Sequence, residues 1–301
     1  LEFTILGTGS ATLQLTRFPS AFVLSVDNEC ILIDCGEGTQ HQILKYKIKH
    51  TRIRTILISH LHGDHYFGLI GLISSWSLNK RTEPLTLIGP PGLLEIISIQ
   101  LKYSGTILSF KVDFIETKST VSEVIYENDL FSVTTIPLIH RVPCNGYLVT
   151  RKGSERKIIK ERIPEDFPLP YFKKLKDGED IFDELSGKTY KNSELTTEGD
   201  PEVKVAYCSD TAYFEEIIPI IEGADLLYHE ATFTHELIER AKSTFHSTAG
   251  EAAQIAKKAQ VKQLVIGHYS SRYKELDGHL SEAKGIFEAT LLAEEGLTVK
   301  V

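Results

Sequence analysis

Short apolar, β-branched runs recur along the chain, and each one stops at a turn or at a reactive side chain. They are FTILG (3–7), AFVLSV (21–26), CILIDCG (30–36), RTILISH (54–60), LTLIGPPG (85–92), FSVTTIPLIH (131–140), VKVAYCSD (203–210), DLLYHE (225–230) and QLVIGH (263–268). Runs this short, apolar at successive positions rather than at every second one, read as strands buried on both faces. Helix-like stretches fall between several of them. Residues 39–47 follow Gly36 and Gly38, residues 93–101 follow Pro90-Pro91-Gly92, and residues 247–259 open on Ser247 as the expected N-cap with Glu251 nearby. Strands alternating with helices define an α/β layered architecture. Residues 151–200 break the pattern: they are rich in charge, carry Pro164, Pro168, Pro170, Gly178 and Gly187, and show no core-facing periodicity. They read as an excursion from a single domain spanning 1–301.

Composition narrows the possibilities. With 301 residues and 42% hydrophobic content the chain can bury a large core. No apolar run approaches the roughly 18 residues of a membrane span, and no basic, then apolar leader opens the sequence, so the expectation is a cytoplasmic protein without a membrane partner. Cys30, Cys35, Cys144 and Cys208 include no C-x-x-C pair and are expected as buried thiols. A net charge of −8 argues against a general nucleic-acid coat. Its distribution is uneven, however. Residues 45–54 hold five bases and no acids, and residues 151–176 hold nine bases against four acids.

The densest chemistry lies in ISHLHGDH (58–65), where His60, His62, Asp64 and His65 fall within six positions, with Gly63 expected to permit a tight turn. Imidazole and carboxylate together suit zinc or a similar divalent ion. Three further candidates, His140, Asp210 and His268, each follow an apolar run. In α/β sheets such residues gather at the carboxyl edge of the strands. Seven ligands exceed what one tetrahedral ion needs and suit two ions sharing a bridging carboxylate. Other features carry less. GTGS (7–10) is a glycine turn with Thr12 where a dinucleotide fingerprint needs glycine, His229 reads as a structural hydrogen-bonding residue, and Cys208 as a small buried thiol. His41, His50, His235 and His279 have no partner pattern.

The H-x-H-x-D-H loop with the later His140, Asp210 and His268 resembles the metallo-β-lactamase superfamily, an αββα sandwich. More specifically, DCGEGTQHQI (34–43), HLHGDHYFGLIGL (60–72), PLIH (137–140), SDT (209–211), HEAT (229–232), FHST (245–248) and IGHYSSRY (266–273) resemble the ribonuclease Z family, over residues from about 3 to about 290. That resemblance implies a zinc-dependent endoribonuclease removing the 3′ trailer from precursor tRNA, with two zinc ions per subunit. His60, His62 and His140 would hold one ion, Asp64, His65 and His268 the other, with Asp210 bridging. Asp64 would also orient the attacking water, His246 would protonate the leaving 3′ oxygen, and Glu230 would orient His246. It further implies a homodimer and an inserted, protruding tRNA-binding arm at 151–200, where Arg151, Lys152, Arg156, Lys157, Lys160, Lys173, Lys174 and Lys176 would meet phosphates. Two departures stand out. The arm has Pro168-Leu169-Pro170 where relatives carry a Gly-Pro step, and LQLTRFPS (13–20) keeps only Arg17 of a Pro-x-Lys-x-Arg-Asn pattern linked to handling of the CCA end. The same core also serves hydrolases of small phosphodiesters, sulfates or thioesters, and a catalytically silent RNA-binding module is a third reading.

Overall fold

The computed structural model describes residues 1–184 and 186–301. In chain order the strands are β1 (Glu2–Gly7), β2 (Ala21–Val26), β3 (Glu29–Cys35), β4 (Ile53–Leu57), β5 (Leu85–Gly89), β6 (Val112–Glu116), β7 (Val124–Glu127), β8 (Phe131–Pro137) and β9 (Asn145–Arg151). They continue as β10 (Lys157–Ile158), β11 (Ile181–Asp183), β12 (Lys188–Tyr190), β13 (Thr196–Thr197), β14 (Val203–Cys208), β15 (Leu226–Glu230), β16 (Leu264–Gly267), β17 (Thr290–Leu292) and β18 (Thr298–Lys300). The chain divides into two compact units, residues 1–150 with 204–301, and residues 151–203.

The larger unit holds two seven-stranded sheets, ordered β18-β1-β2-β3-β4-β5-β6 and β17-β16-β15-β14-β9-β8-β7. Side chains show why the apolar runs have no polar alternation. Along β2, Phe22, Leu24 and Val26 enter the core shared by the two sheets, while Ala21 and Val23 face a second core. Both faces of the strand are buried, so both must be apolar. The shared core is closed by rings from opposite sheets: Phe22 lies 4.5 Å from Tyr228 and 5.1 Å from Tyr207. Helices cover the outer faces. Thr39–Lys45, Leu69–Leu78 and Leu93–Tyr103 bury Ile43, Leu69, Leu72, Ile73, Trp76, Leu93 and Ile97 against the first sheet. Ala249–Lys258 buries a small-residue face of Ala249, Ala252, Ala253 and Ala256 on the second. The layers therefore run helix, sheet, sheet, helix.

The polarity of the strands positions the chemistry. β3, β4, β5 and β6 run parallel, as do β14, β15, β16 and β17. The loops after β4, β14, β15 and β16 carry His60, Asp210, the segment that follows Glu230, and His268. Gly36, just beyond β3, has to be glycine because a Cβ there would lie 2.4 Å from the Asp64 carbonyl oxygen.

Gly63 starts the tight helical turn Gly63–Tyr66, where a Cβ would strike the Phe67 ring at 2.2 Å. Two expectations are corrected. The N-cap of Ala249–Lys258 is Thr248, whose side chain accepts from Glu251 N at 3.2 Å while Glu251 Oε2 accepts from Thr248 N at 2.9 Å. Ser247 instead donates its hydroxyl to the Thr211 carbonyl. β8 stops at Pro137, so His140 stands in a loop three residues beyond it.

Residues 151–203 pair β10 with β13 and β11 with β12, and they are not without a core. Phe167, Leu175, Ile181 and Leu195 are buried, with Ile163, Tyr171, Phe172 and Tyr190 packed around them. The periodicity was invisible in sequence because these residues come from separate short elements. Pro170 sits in the first turn of Leu169–Lys176, where its missing N–H costs nothing, so it begins a helix rather than breaking one. Among the described residues, no helix is long and apolar enough to cross a membrane.

Candidate metal centre and active site

Seven side chains named from sequence meet, carried by loops that follow strands of both sheets. His60 Nε2 lies 3.0 Å from His62 Nδ1, which lies 3.1 Å from His140 Nε2; both Nε2 atoms lie 3.7–3.8 Å from Asp210 Oδ2. On the other side of Asp210, His65 Nε2 and His268 Nε2 stand 3.4 and 3.2 Å from Oδ1, and 3.5 and 3.4 Å from Asp64 Oδ2. Asp210 thus offers one oxygen to each group. Around a tetrahedral ion with bonds of about 2.0–2.1 Å, neighbouring ligand atoms stand roughly 3.3 Å apart. The spacing fits two divalent ions.

Two further observations support that fit. Among the described residues, His65 Nε2 and Asp210 Oδ1 are buried without a hydrogen-bond partner, which a protein avoids unless something else satisfies them. The outer nitrogens are also pinned, which turns the inner ones toward the site. His65 Nδ1 donates to Asp34 Oδ2 at 2.7 Å, His60 Nδ1 to Ser59 Oγ at 3.0 Å, His140 Nδ1 to the Phe245 carbonyl at 2.9 Å, and His268 Nδ1 to Thr232 Oγ1 at 2.9 Å. His268 holds φ at 62°, a left-handed conformation that a non-glycine residue keeps only where its surroundings enforce it. Burial, followed by the neighbouring His65, holds His60 well below the usual imidazole range, so it is a neutral donor. Burial opposes ionisation of Asp64 and Asp210, yet the surrounding imidazoles keep both below the usual carboxylate range.

Glu230 and His246 flank this cluster. Glu230 is fully buried and its carboxylate accepts from His246 Nδ1 at 2.8 Å, Thr211 N and Ser247 N at 3.1 Å, Thr232 N at 2.9 Å and Thr232 Oγ1 at 2.7 Å. Burial lowers the affinity of His246 for a proton, but Glu230 and then Asp210 outweigh it and raise its pKa to about 9. The His246 ring lines a cavity of about 660 Å³ together with His62, Asp64, Asp210 and His268.

The basic residues expected to meet substrate differ among themselves. Arg151 donates to the Pro201 carbonyl and Arg156 to Thr196 Oγ1, while Lys157 pairs with Asp200 at 2.7 Å and Lys176 with Glu155 at 3.0 Å. Lys152 also has an interaction. Lys160, Lys173 and Lys174 are exposed, with no hydrogen-bond or ion-pair partner among the described residues.

Sequence reasoning missed Asp34, which lies in the quoted DCGEGTQHQI motif without an assigned role. It is fully buried at φ 55° and accepts from Ser59 N at 2.8 Å, Ser59 Oγ at 2.9 Å, Tyr207 OH at 2.6 Å and His65 Nδ1. A carboxylate behind a ligating histidine fixes its tautomer and raises its basicity. Asp34→Asn is therefore expected to weaken metal affinity about 10–100-fold, measured by competition with a chromophoric chelator. Unchanged affinity would remove Asp34 from the site.

Fold and site together define a metal-dependent hydrolase of the metallo-β-lactamase fold. Residues 180–269 match the family model described as beta-lactamase superfamily domain, and residues 1–140 match the one described as anti-Pycsar protein Apyc1. Ribonuclease Z of Cytophaga hutchinsonii is 46% identical over 295 residues, covering 98% of this chain and 94% of the relative. Ribonuclease Z of Bacteroides fragilis is 43% identical over 303 residues, covering 100% and 99%. The crystal structure of human tRNase Z, short form, superposes with a TM-score of 0.72 at 29% identity, covering 100% of this chain and 99% of that one. The chain belongs to the ribonuclease Z family.

Proposed function

We infer that this protein is the endoribonuclease that removes the 3′ trailer from precursor tRNA, leaving a 3′ hydroxyl on the tRNA and a 5′ phosphate on the trailer. The observation that carries the reading is the pairing of His246 with the buried Glu230, 2.8 Å apart, beside a seven-ligand His/Asp cluster in a chain of ribonuclease Z relatives. His60, His62 and His140 would hold one zinc ion and Asp64, His65 and His268 the second, with Asp210 between them. When bound, such ions would activate a water nucleophile and neutralise charge on the attacking and leaving oxygens of an in-line phosphoryl displacement.

The chain's own residues do the rest. Asp64, on the first turn of Gly63–Tyr66, orients the attacking water. His246, whose hold on a proton Glu230 strengthens, delivers that proton to the departing 3′ oxygen, while Glu230 fixes the ring and stabilises its charged form. The five hydrogen bonds on Glu230 keep that carboxylate from turning away. Cleavage of a 3′-extended precursor tRNA by metal-loaded protein, with the cut site and end groups mapped, tests the reading. A single metal-dependent cut near the acceptor end supports it; two bound ions without a cut would favour a small-substrate hydrolase.

Residues 151–200 serve, in this reading, as the arm that holds tRNA away from the cut. Lys160, Lys173 and Lys174, exposed and without a partner among the described residues, are its best phosphate contacts, because Lys157 and Lys176 already have carboxylate partners. Lys173→Glu with Lys174→Glu should weaken precursor binding by roughly 10-fold or more and flatten its salt dependence, since each lost phosphate contact removes about 0.7–0.9 from the slope of log K against log salt. Equal binding curves for variant and wild type would take the arm out of recognition. The protein is proposed to act as a homodimer in the cytoplasm, the first checked by light scattering and the second by fractionation.

A further inference from the structure

The chain has ten arginines, and six are tied down. Arg17, Arg54, Arg81, Arg151, Arg156 and Arg162 each donate to a carbonyl, hydroxyl or carboxylate oxygen. Of the four with no hydrogen-bond or ion-pair acceptor among the described residues, three line one feature. Arg141, Arg240 and Arg272 stand on the wall of the 660 Å³ cavity that opens onto the metal ligands, and all three are exposed. Guanidinium groups left unpaired around one concave site are anion receptors in waiting, suited to phosphate because the planar fork offers two parallel donors.

The scissile phosphate does not account for them. Its charge would fall to metal held by the His/Asp cluster and to His246, whereas three further arginines call for further anions. A single-stranded RNA threaded through the cavity supplies them at successive nucleotides. Placement gives one arginine a side. Arg240 lies on the helix Ile238–Thr244, whose end sets the acid directly: His246 N donates to the Ala241 carbonyl at 2.9 Å, across the left-handed turn at Phe245. The 3′ oxygen that His246 protonates belongs to the tRNA, so Arg240 faces the tRNA side of the cut. Arg141 is next to His140 in sequence, and Arg272 lies four residues after His268.

We propose that Arg141, Arg240 and Arg272 form a three-point grip on the backbone phosphates flanking the scissile bond, with Arg240 on the phosphate immediately 5′ to it. The proposal rests on the endoribonuclease reading. It places substrate affinity in the cavity itself, in addition to any arm, and it makes that affinity independent of base identity.

The test uses full-length, metal-loaded protein and a 3′-extended precursor tRNA, with Arg240→Ala, Arg240→Lys and the triple alanine variant. Wild-type cleavage is established first, because failure there sinks the endoribonuclease reading and this proposal with it. Arg240→Ala should raise KM about 10-fold or more, the effect of losing a charge-assisted bond, with kcat little changed. The slope of log KM against log salt should fall by about 0.7 for one arginine and about 2 for three. Arg240→Lys should recover part of KM, because it keeps the charge and loses the fork. Binding of uncleaved precursor to chelator-treated protein should weaken by the same factor. A precursor with a neutral methylphosphonate immediately 5′ to the cut should be treated alike by wild type and Arg240→Ala. Unchanged KM and salt slope, a fall confined to kcat, or a persisting difference on the methylphosphonate substrate would each overturn the assignment.

Discussion

Asp64→Ala is expected to reduce precursor cleavage by at least about 10³-fold, the scale of losing a preorganised group at the reacting centre, while tRNA binding survives. Asp64 Oδ2 stands 3.4–3.5 Å from the two imidazole nitrogens of its group, and its removal leaves that group with His65, His268 and one oxygen of Asp210. Bound metal should accordingly fall from two ions per chain toward one, read by elemental analysis after gel filtration. Affinity for RNA should persist because phosphate contacts on basic side chains do not pass through Asp64. A variant that still cuts at more than a tenth of the wild-type rate would mean that the water is oriented elsewhere. Loss of tRNA binding together with loss of cleavage would point to a disordered site, which thermal unfolding would reveal.

The second large effect concerns the acid. His246→Ala should lower kcat by about 10²–10⁴-fold with metal content unchanged, separating proton delivery from metal binding. The pH profile of Glu230→Gln is more telling. A general acid works only while protonated, so a raised pKa extends activity to higher pH, and the limb at which kcat falls marks that pKa. Burial pulls His246 down, and Glu230 and Asp210 together carry it up to about 9. With metal on Asp210, less of that lift remains, so the wild-type limb should lie between the ordinary imidazole value and 9. Removing the Glu230 charge should shift the limb down by about 1–3 units, the span of one close opposite charge. An unmoved alkaline limb would show that the titrating group is another one.

How far the sequence could be read follows from what each feature depends on. Strands buried on both faces announce themselves, since Phe22, Leu24 and Val26 must be apolar for one core and Ala21 and Val23 for another. The edge strands β6, β7, β17 and β18 carry partly exposed or mixed side chains and gave no such signal. β9 escaped for another reason: it opens on Asn145-Gly146, a pair whose local preference is for turns. There the glycine is required, because a Cβ would lie 2.4 Å from the Tyr207 carbonyl oxygen of the second sheet.

The candidate metal centre was legible because ligand chemistry demands histidine and aspartate, and HLHGDH concentrates them within one loop. Its outer layer was not. Asp34, Ser59, Thr232 and the Phe245 carbonyl are ordinary residues or backbone atoms, and only their approach to the outer imidazole nitrogens, at 2.7–3.0 Å, ties them to the cluster. The cavity arginines were passed over for the same reason. Nothing local separates Arg240 from Arg162; one has no acceptor among the described residues and lines a cavity, while the other donates to the Glu194 carbonyl.

Residue type and order by themselves determined the layered α/β class, the ligand-rich loop and the family, because hydrophobic burial and metal chemistry constrain which side chains may stand where. Which oxygen of Asp210 serves which group, how Glu230 locks His246, that residues 151–203 have their own core, and which cations remain unpaired were decided only by tertiary structure. Those are distances between segments remote in sequence, and no local pattern encodes them.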